Sequence, residues 1–135
     1  MPELGALIAR GRTADVHAWS PGQVLKLYRP EIDLASVEQE ALVARLVHAA
    51  DAPTPAVGDI VVVAGRFGLA YEQIEGIPMS EVLLRQPWRA VALGKRLARL
   101  HVQVHVLPVS EALPSQYVQL MSKIERADGL SMQAR

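Results

Sequence analysis

Lys26 stands between Leu25 and Leu27 in a run that reads as a largely buried strand, and a lysine in that setting calls for a chemical reason. The sequence has three lysines against eleven arginines. Because alternate residues of a strand face opposite ways, Lys26 either points out of the sheet or reaches a cleft and holds a phosphate or a carboxylate there. Glu40 poses the matching question. On a helix it would have Val37 three residues before it, with Val43, Ala44 and Val47 three, four and seven residues after. A carboxylate among apolar neighbours costs free energy unless it finds a cation or fringes the face, and Lys26 is the candidate cation. Upstream, Gly11 is the pivot of a short loop between two strands.

Other chemistry is less well supported by spacing. His101 and His105 lie four apart on a helix and could face one metal, but no glutamate or third ligand accompanies them, and His101 within Leu-Ala-Arg-Leu-His reads as a packing position. No glycine precedes a lysine followed by Ser or Thr, which excludes a Walker-type phosphate loop. The arginines and lysine from Arg85 to Arg99 read as a solvated helix face. The formal net charge is zero over 135 residues, so nothing suggests the broad basic surface that nucleic acid or anionic membrane requires. Cysteine is absent, which excludes disulfides and thiolate metal sites and fits a cytoplasmic protein. Neither a secretory leader nor an apolar run of about 18 residues is expected, so the reading is a soluble chain with no membrane partner.

The elements that must position these residues follow from pattern. Strands are expected at Gly5 to Ala9, Val16 to Trp19 and Gln23 to Tyr28, with a Pro21-Gly22 turn before the last. Pro30 stops the sheet, and Asp33 or Ser36 offers a helix cap, Ser36 and Gln39 being spaced as a capping box. The helix runs from about Ala35 to Ala50. Ala52-Pro53-Thr54-Pro55 breaks it, and Val57 to Val63 and Phe67 to Ile74 form an antiparallel pair around a Gly65-Arg66 turn. This is an α+β arrangement, a five-stranded antiparallel sheet with one inserted helix. A boundary near Gly76 separates residues 1–76 from a helical part, 77–135, in which Ser80-Glu81 opens a short helix and Pro87 a longer one to about Leu107. In that longer helix Val91, Gly94, Leu97, Ala98 and His101 share one stripe. An amphipathic stretch covers Gln116 to Ala127, and the tail from Asp128 to Arg135 is expected to fray.

The order of strand, glycine turn, strand, lysine strand, glutamate helix, two strands and polar crossover is that of a kinase N-terminal lobe. Against the pattern G-x-G-x-x-G-x-V, the stretch Ala9 to Val16 keeps the middle glycine, Gly11, and the final valine, while alanines replace the outer glycines. Glu38-Gln39-Glu40-Ala41-Leu42, Leu69 to Gly76 and Leu97-Ala98-Arg99-Leu100-His101 resemble segments of the aminoglycoside phosphotransferase family, a small-molecule branch of the protein-kinase-like fold. The resemblance covers about Leu4 to Leu107. It implies a kinase-like N-lobe followed by a partial helical C-lobe, with ATP as cofactor. Backbone amides at Gly11, Arg12 and Thr13 would cover the phosphates, and Lys26, oriented by Glu40, would hold the α- and β-phosphates. Tyr71 would stand behind the adenine, and the Glu72 carbonyl and Ile74 amide would bond its edge. Leu25, Ile8, Val16 and Ile74 would wall the ring.

The resemblance also implies what this stretch lacks. The family's catalytic loop needs an asparagine, and its metal site, for Mg2+, a further aspartate; the sequence contains no asparagine and no H-x-D pattern. The catalytic machinery is therefore expected to lie outside this sequence, and the chain to be inactive alone. A small-molecule acceptor would bind only if the missing lobe is supplied. Without that lobe the C-terminal helices are expected to expose apolar surface, a possible route to self-association or a partner chain. Two alternatives remain, a non-catalytic kinase-like interaction module and an unrelated α+β binding domain, the latter leaving Lys26 and Glu40 unexplained.

Overall fold

The computed structural model describes residues 3–108 and 115–126. Five strands, β1 (Leu7–Arg10), β2 (Ala14–Ala18), β3 (Gln23–Tyr28), β4 (Val57–Val63) and β5 (Arg66–Glu72), form one antiparallel sheet in the order β1-β2-β3-β5-β4. Helix α1 (Leu34–Ala49) is inserted between β3 and β4. The turns explain much of this. Pro21 and Gly22, the latter at φ 74, close the β2–β3 connection with a Gln23 amide to Ser20 carbonyl bond of 2.8 Å, the chemistry of a type II turn. At the β4–β5 hairpin both Ala64 (φ 50) and Gly65 (φ 75) are left-handed, as a primed two-residue turn demands. The turn thus centres on Ala64-Gly65 rather than Gly65-Arg66, and β5 begins one residue earlier than its apolar run suggests.

The other departures from pattern are local. The first strand starts at Leu7 and carries a register shift between Leu7 and Ala9, and the second starts at Ala14. Asp33 is the cap of α1, its carboxylate accepting the Ser36 amide at 2.8 Å, so Ser36 serves as the capped residue and not as the head of a capping box. β5 ends at Glu72, where the Gln73 amide turns to the Gly22 carbonyl at 2.8 Å, and not at Ile74.

Strand alternation gives the sheet two apolar faces. On the inner face Val37 and Ala41 of α1 bury against Leu69, Tyr28 and Ala14, with Phe67, Ile60 and Tyr71 around them. On the outer face Leu25, Leu27 and Ala70 are covered by Trp19, Val61 and Val63. Arg45 fastens α1 to β4 by donating to the Gly58 carbonyl at 2.8 Å.

Beyond Glu72 an exposed segment leads to α2 (Met79–Arg85), a 3-10 turn (Pro87–Arg89) and α3 (Ala90–His105), which pack on one another, and to α4 (Gln116–Arg126). Pro87 opens the 3-10 turn, and the α-helix proper starts at Ala90. The buried side of α3 is centred on Leu93, facing Met79 and Leu83 across an apolar groove. Of the Val91, Gly94, Leu97, Ala98 and His101 stripe, Gly94 and Leu97 line this groove, while Val91 is 71% exposed. The proposed fraying of Asp128 to Arg135 falls outside the described residues. Apolar side chains are indeed exposed along these helices, among them Leu84, Trp88, Val102 and Val106. No helix among the described residues is long and apolar enough to cross a membrane.

Leu69 joins β5 to α1 and is fully buried, so Leu69→Ala should lower the unfolding free energy by about 2–5 kcal/mol through lost transfer energy and a residual cavity. Leu84→Ala, at a side chain 85% exposed, should change it by no more than ~0.5 kcal/mol. Urea titration of both variants checks the contrast.

Candidate functional site

Alternation along β3 decides which side chains can meet the helix. Val24, Lys26 and Tyr28 share the inner face; Leu25 and Leu27 take the outer one. The packing of Val37 and Ala41 on Leu69 seats α1, and Glu40, preceding Ala41, falls at the margin of that contact. There the Lys26 Nζ lies 2.6 Å from Glu40 Oε1. Two elements remote in sequence therefore bring together the pair whose local patterns each called for a partner. The Lys26 ammonium also stands 5.0 Å from the centroid of the Tyr28 ring, within cation–π range.

A second donor reaches the same oxygen. Tyr71, opposite Val24 in the ladder, donates its hydroxyl to Glu40 Oε1 at 2.9 Å. Burial pushes the Glu40 carboxyl up, but the hydrogen bonds from Lys26 and Tyr71, with the Lys26 charge, outweigh it and hold the group below its ordinary value. Burial first, and the neighbouring Glu40 carboxylate second, push the phenols of Tyr28 and Tyr71 well above their ordinary value. The Tyr28 hydroxyl is buried without a hydrogen-bond partner, close to Glu40 but out of bonding geometry. Both members of the ion pair are about one-third exposed, so solvent screens their attraction and such a pair adds at most about 1 kcal/mol to stability. Its consequence is orientation: the ammonium is held against the helix carboxylate on the inner face.

The remaining expected residues fall into two groups. Gly11, Arg12 and Thr13 form an exposed loop between β1 and β2, closed by the Gly11 amide on the Ala14 carbonyl at 2.8 Å. A Cβ at Gly11 would stand 2.9 Å from that carbonyl oxygen, so the turn itself requires glycine. The amides of Arg12 and Thr13 have no hydrogen-bond partner among the described residues. At the far end of β5, the Glu72 carboxylate takes the Ala56 amide at 3.0 Å, while the Ile74 amide is unpaired and its side chain is 64% exposed. Val16 lies opposite Lys26 and shares its face.

One expected wall residue is wrong. Leu25 is fully buried in the outer cluster, so it cannot line a pocket that contains Lys26; Val24, two residues from the lysine, occupies the inner face instead. Ile8, at the β1 irregularity, is 53% exposed. The rings of His101 and His105 stand 6.3 Å apart between centroids, and no group of three His, Cys, Asp or Glu side chains among the described residues could hold a metal ion. Pattern reading missed Tyr28, whose β3 position two residues after Lys26 was the available signal. It also missed an Asp15–Arg29 pair behind the glycine loop, which no local spacing marks.

Two titrations follow. Glu40 has a folded-state value below its unfolded one, so its stabilising contribution is complete above the unfolded value and is lost as pH falls through the folded one. Tyr71→Phe removes one donor, should raise the Glu40 value and should cost about 1 kcal/mol at neutral pH, read by urea unfolding and carboxyl NMR titration. Tyr28 and Tyr71 have raised values, so their contribution is intact below the ordinary phenol value of about 10 and is lost above it. Phenolate absorbance should show both ionising only together with unfolding. The chain matches no protein-family model and no curated protein, so the residues themselves carry the functional reading.

Proposed function

We propose that this chain supplies the ATP-binding part of a small-molecule phosphotransferase of the aminoglycoside phosphotransferase kind, with a kinase-like N-lobe over residues 1–76. The observation that carries the reading is the 2.6 Å Lys26–Glu40 pair, formed between the third strand and the inserted helix on the inner face of the sheet. A kinase-type site needs this arrangement because a lysine held by a helix carboxylate is aimed at the α- and β-phosphates and does not wander. The strand order β1-β2-β3-β5-β4 and the glycine loop joining β1 to β2 support it.

In this reading the Arg12 and Thr13 amides lie over the phosphates, while Lys26 contributes a point charge. Tyr71 closes the back of the adenine pocket, its hydroxyl anchored on Glu40, which ties pocket depth to the orientation of the ion pair. The Glu72 carbonyl and Ile74 amide meet the adenine edge, and Val24 takes the place of Leu25 beside Val16 as an aliphatic contact. The residues that would orient an acceptor hydroxyl and hold magnesium are not among the described ones, so binding is what this part contributes. A second reading, a non-catalytic interaction module with the same lobe, is favoured by the apolar exposure of Trp88, Leu84 and Val106 on the C-terminal helices.

Thermal denaturation with Mg-ATP separates the two. A ligand bound only by the folded state stabilises by RT ln(1 + [L]/Kd), about 2.7 kcal/mol at a hundredfold excess over Kd. The native chain should shift and Lys26→Ala should not. No shift in the native chain sinks the nucleotide reading and leaves the interaction module. An equal shift in Lys26→Ala removes the phosphate role from the lysine.

A further inference from the structure

The glycine loop is held from the side of the sheet opposite Lys26. Asp15 pairs with Leu27 in the ladder and so belongs to the outer face, where Arg29, just past the end of β3, reaches it. The guanidinium is bidentate, Nη1 to Oδ2 at 2.8 Å and Nη2 to Oδ1 at 2.9 Å. The same Nη2 donates to the carbonyl of Gly11 at 3.0 Å, and the Arg29 backbone amide donates to the carbonyl of Thr13 at 2.8 Å. One residue therefore grips two of the three loop carbonyls. Arg66 stands 3.9 Å from the same carboxylate but uses its Nε on the Tyr28 carbonyl at 2.8 Å and its Nη2 on the Leu27 carbonyl at 3.3 Å. It is committed elsewhere and does not reach the loop.

Peptide geometry turns this contact into a direction. In a planar trans peptide the C=O and the following N–H point opposite ways. With the Gly11 carbonyl drawn to Arg29, the Arg12 N–H must point away from it, and that amide is unpartnered. Arg29 itself is a poor phosphate ligand here, since Asp15 neutralises its charge and its fork is already engaged. We propose that Arg29, oriented by Asp15, is a positioning residue that turns the Gly11–Arg12 peptide so that its amide is offered to the phosphate chain of a nucleoside triphosphate. The inference rests on the nucleotide reading above for its ligand, and on the hydrogen bonds alone for the clamp.

Lysine keeps the charge but cannot span Asp15 and Gly11 together, so Arg29→Lys is the diagnostic variant, with Asp15→Asn as a second that leaves the guanidinium in place. Without nucleotide, the Gly11 amide, bonded to Ala14, should exchange with solvent about tenfold faster in both variants while amides of β3 and β5 keep their protection. Unchanged exchange at Gly11, or an increase spread equally over the sheet, overturns the clamp. In calorimetric titration ATP should bind Arg29→Lys about fivefold more weakly, with adenosine, which lacks phosphates, bound as by the native chain. Equal losses for both ligands, or none for ATP, overturn the positioning role. Failure of the native chain to bind ATP refutes the nucleotide reading and with it the assigned ligand, and leaves the exchange experiment to decide the clamp by itself.

Discussion

The seating of α1 on the inner face of the sheet is the contact on which everything else depends. Val37 and Ala41 are fully buried against Leu69 and Tyr28, and this small apolar junction sets where the helix lies relative to β3. Glu40 shares a turn with both residues, so its distance to Lys26 follows from their packing. The ion pair is a consequence of the hydrophobic contact: its own screened attraction is too weak to place a sixteen-residue helix.

Polar groups on that face are arranged around a single carboxylate oxygen. Lys26 and Tyr71 both donate to Glu40 Oε1, and Tyr28 lies beneath the ammonium with its own hydroxyl buried and unpaired. Such a cluster is sensitive to any movement of α1, because displacing Glu40 strips a partner from Lys26 and Tyr71 together.

The two faces of the sheet divide the work. The inner face carries the Lys26–Glu40 pair; the outer face carries the apolar cover of Leu25 and Leu27 and, at one end, the Asp15–Arg29 fork that grips the glycine loop from behind. The C-terminal helices stand apart in composition and burial. Around α2 and α3 only Leu93 is buried, and much of their apolar surface meets solvent.

Much of this was legible residue by residue. The alternation in Gln23 to Tyr28, the Pro21-Gly22 turn, the β-branched run of Val57 to Val63 and the mismatch of Lys26 and Glu40 with their neighbours are local properties, and they determined the five strands, the inserted helix and the candidate pair. What they could not determine were facts requiring a third element. Leu25 was misplaced because alternation says that neighbours face opposite ways but not which face carries the helix. Which part of the α3 stripe is covered was not legible either, because a helical stripe has no inward side until α2 packs against Leu93. The Tyr71 bond to Glu40 spans 31 residues and the Arg29 grip on Gly11 spans 18, beyond any helical or strand period. Short-range periodicity is set by the backbone and is written in the sequence; which faces meet is set by close packing among distant residues, and only the tertiary structure decided that.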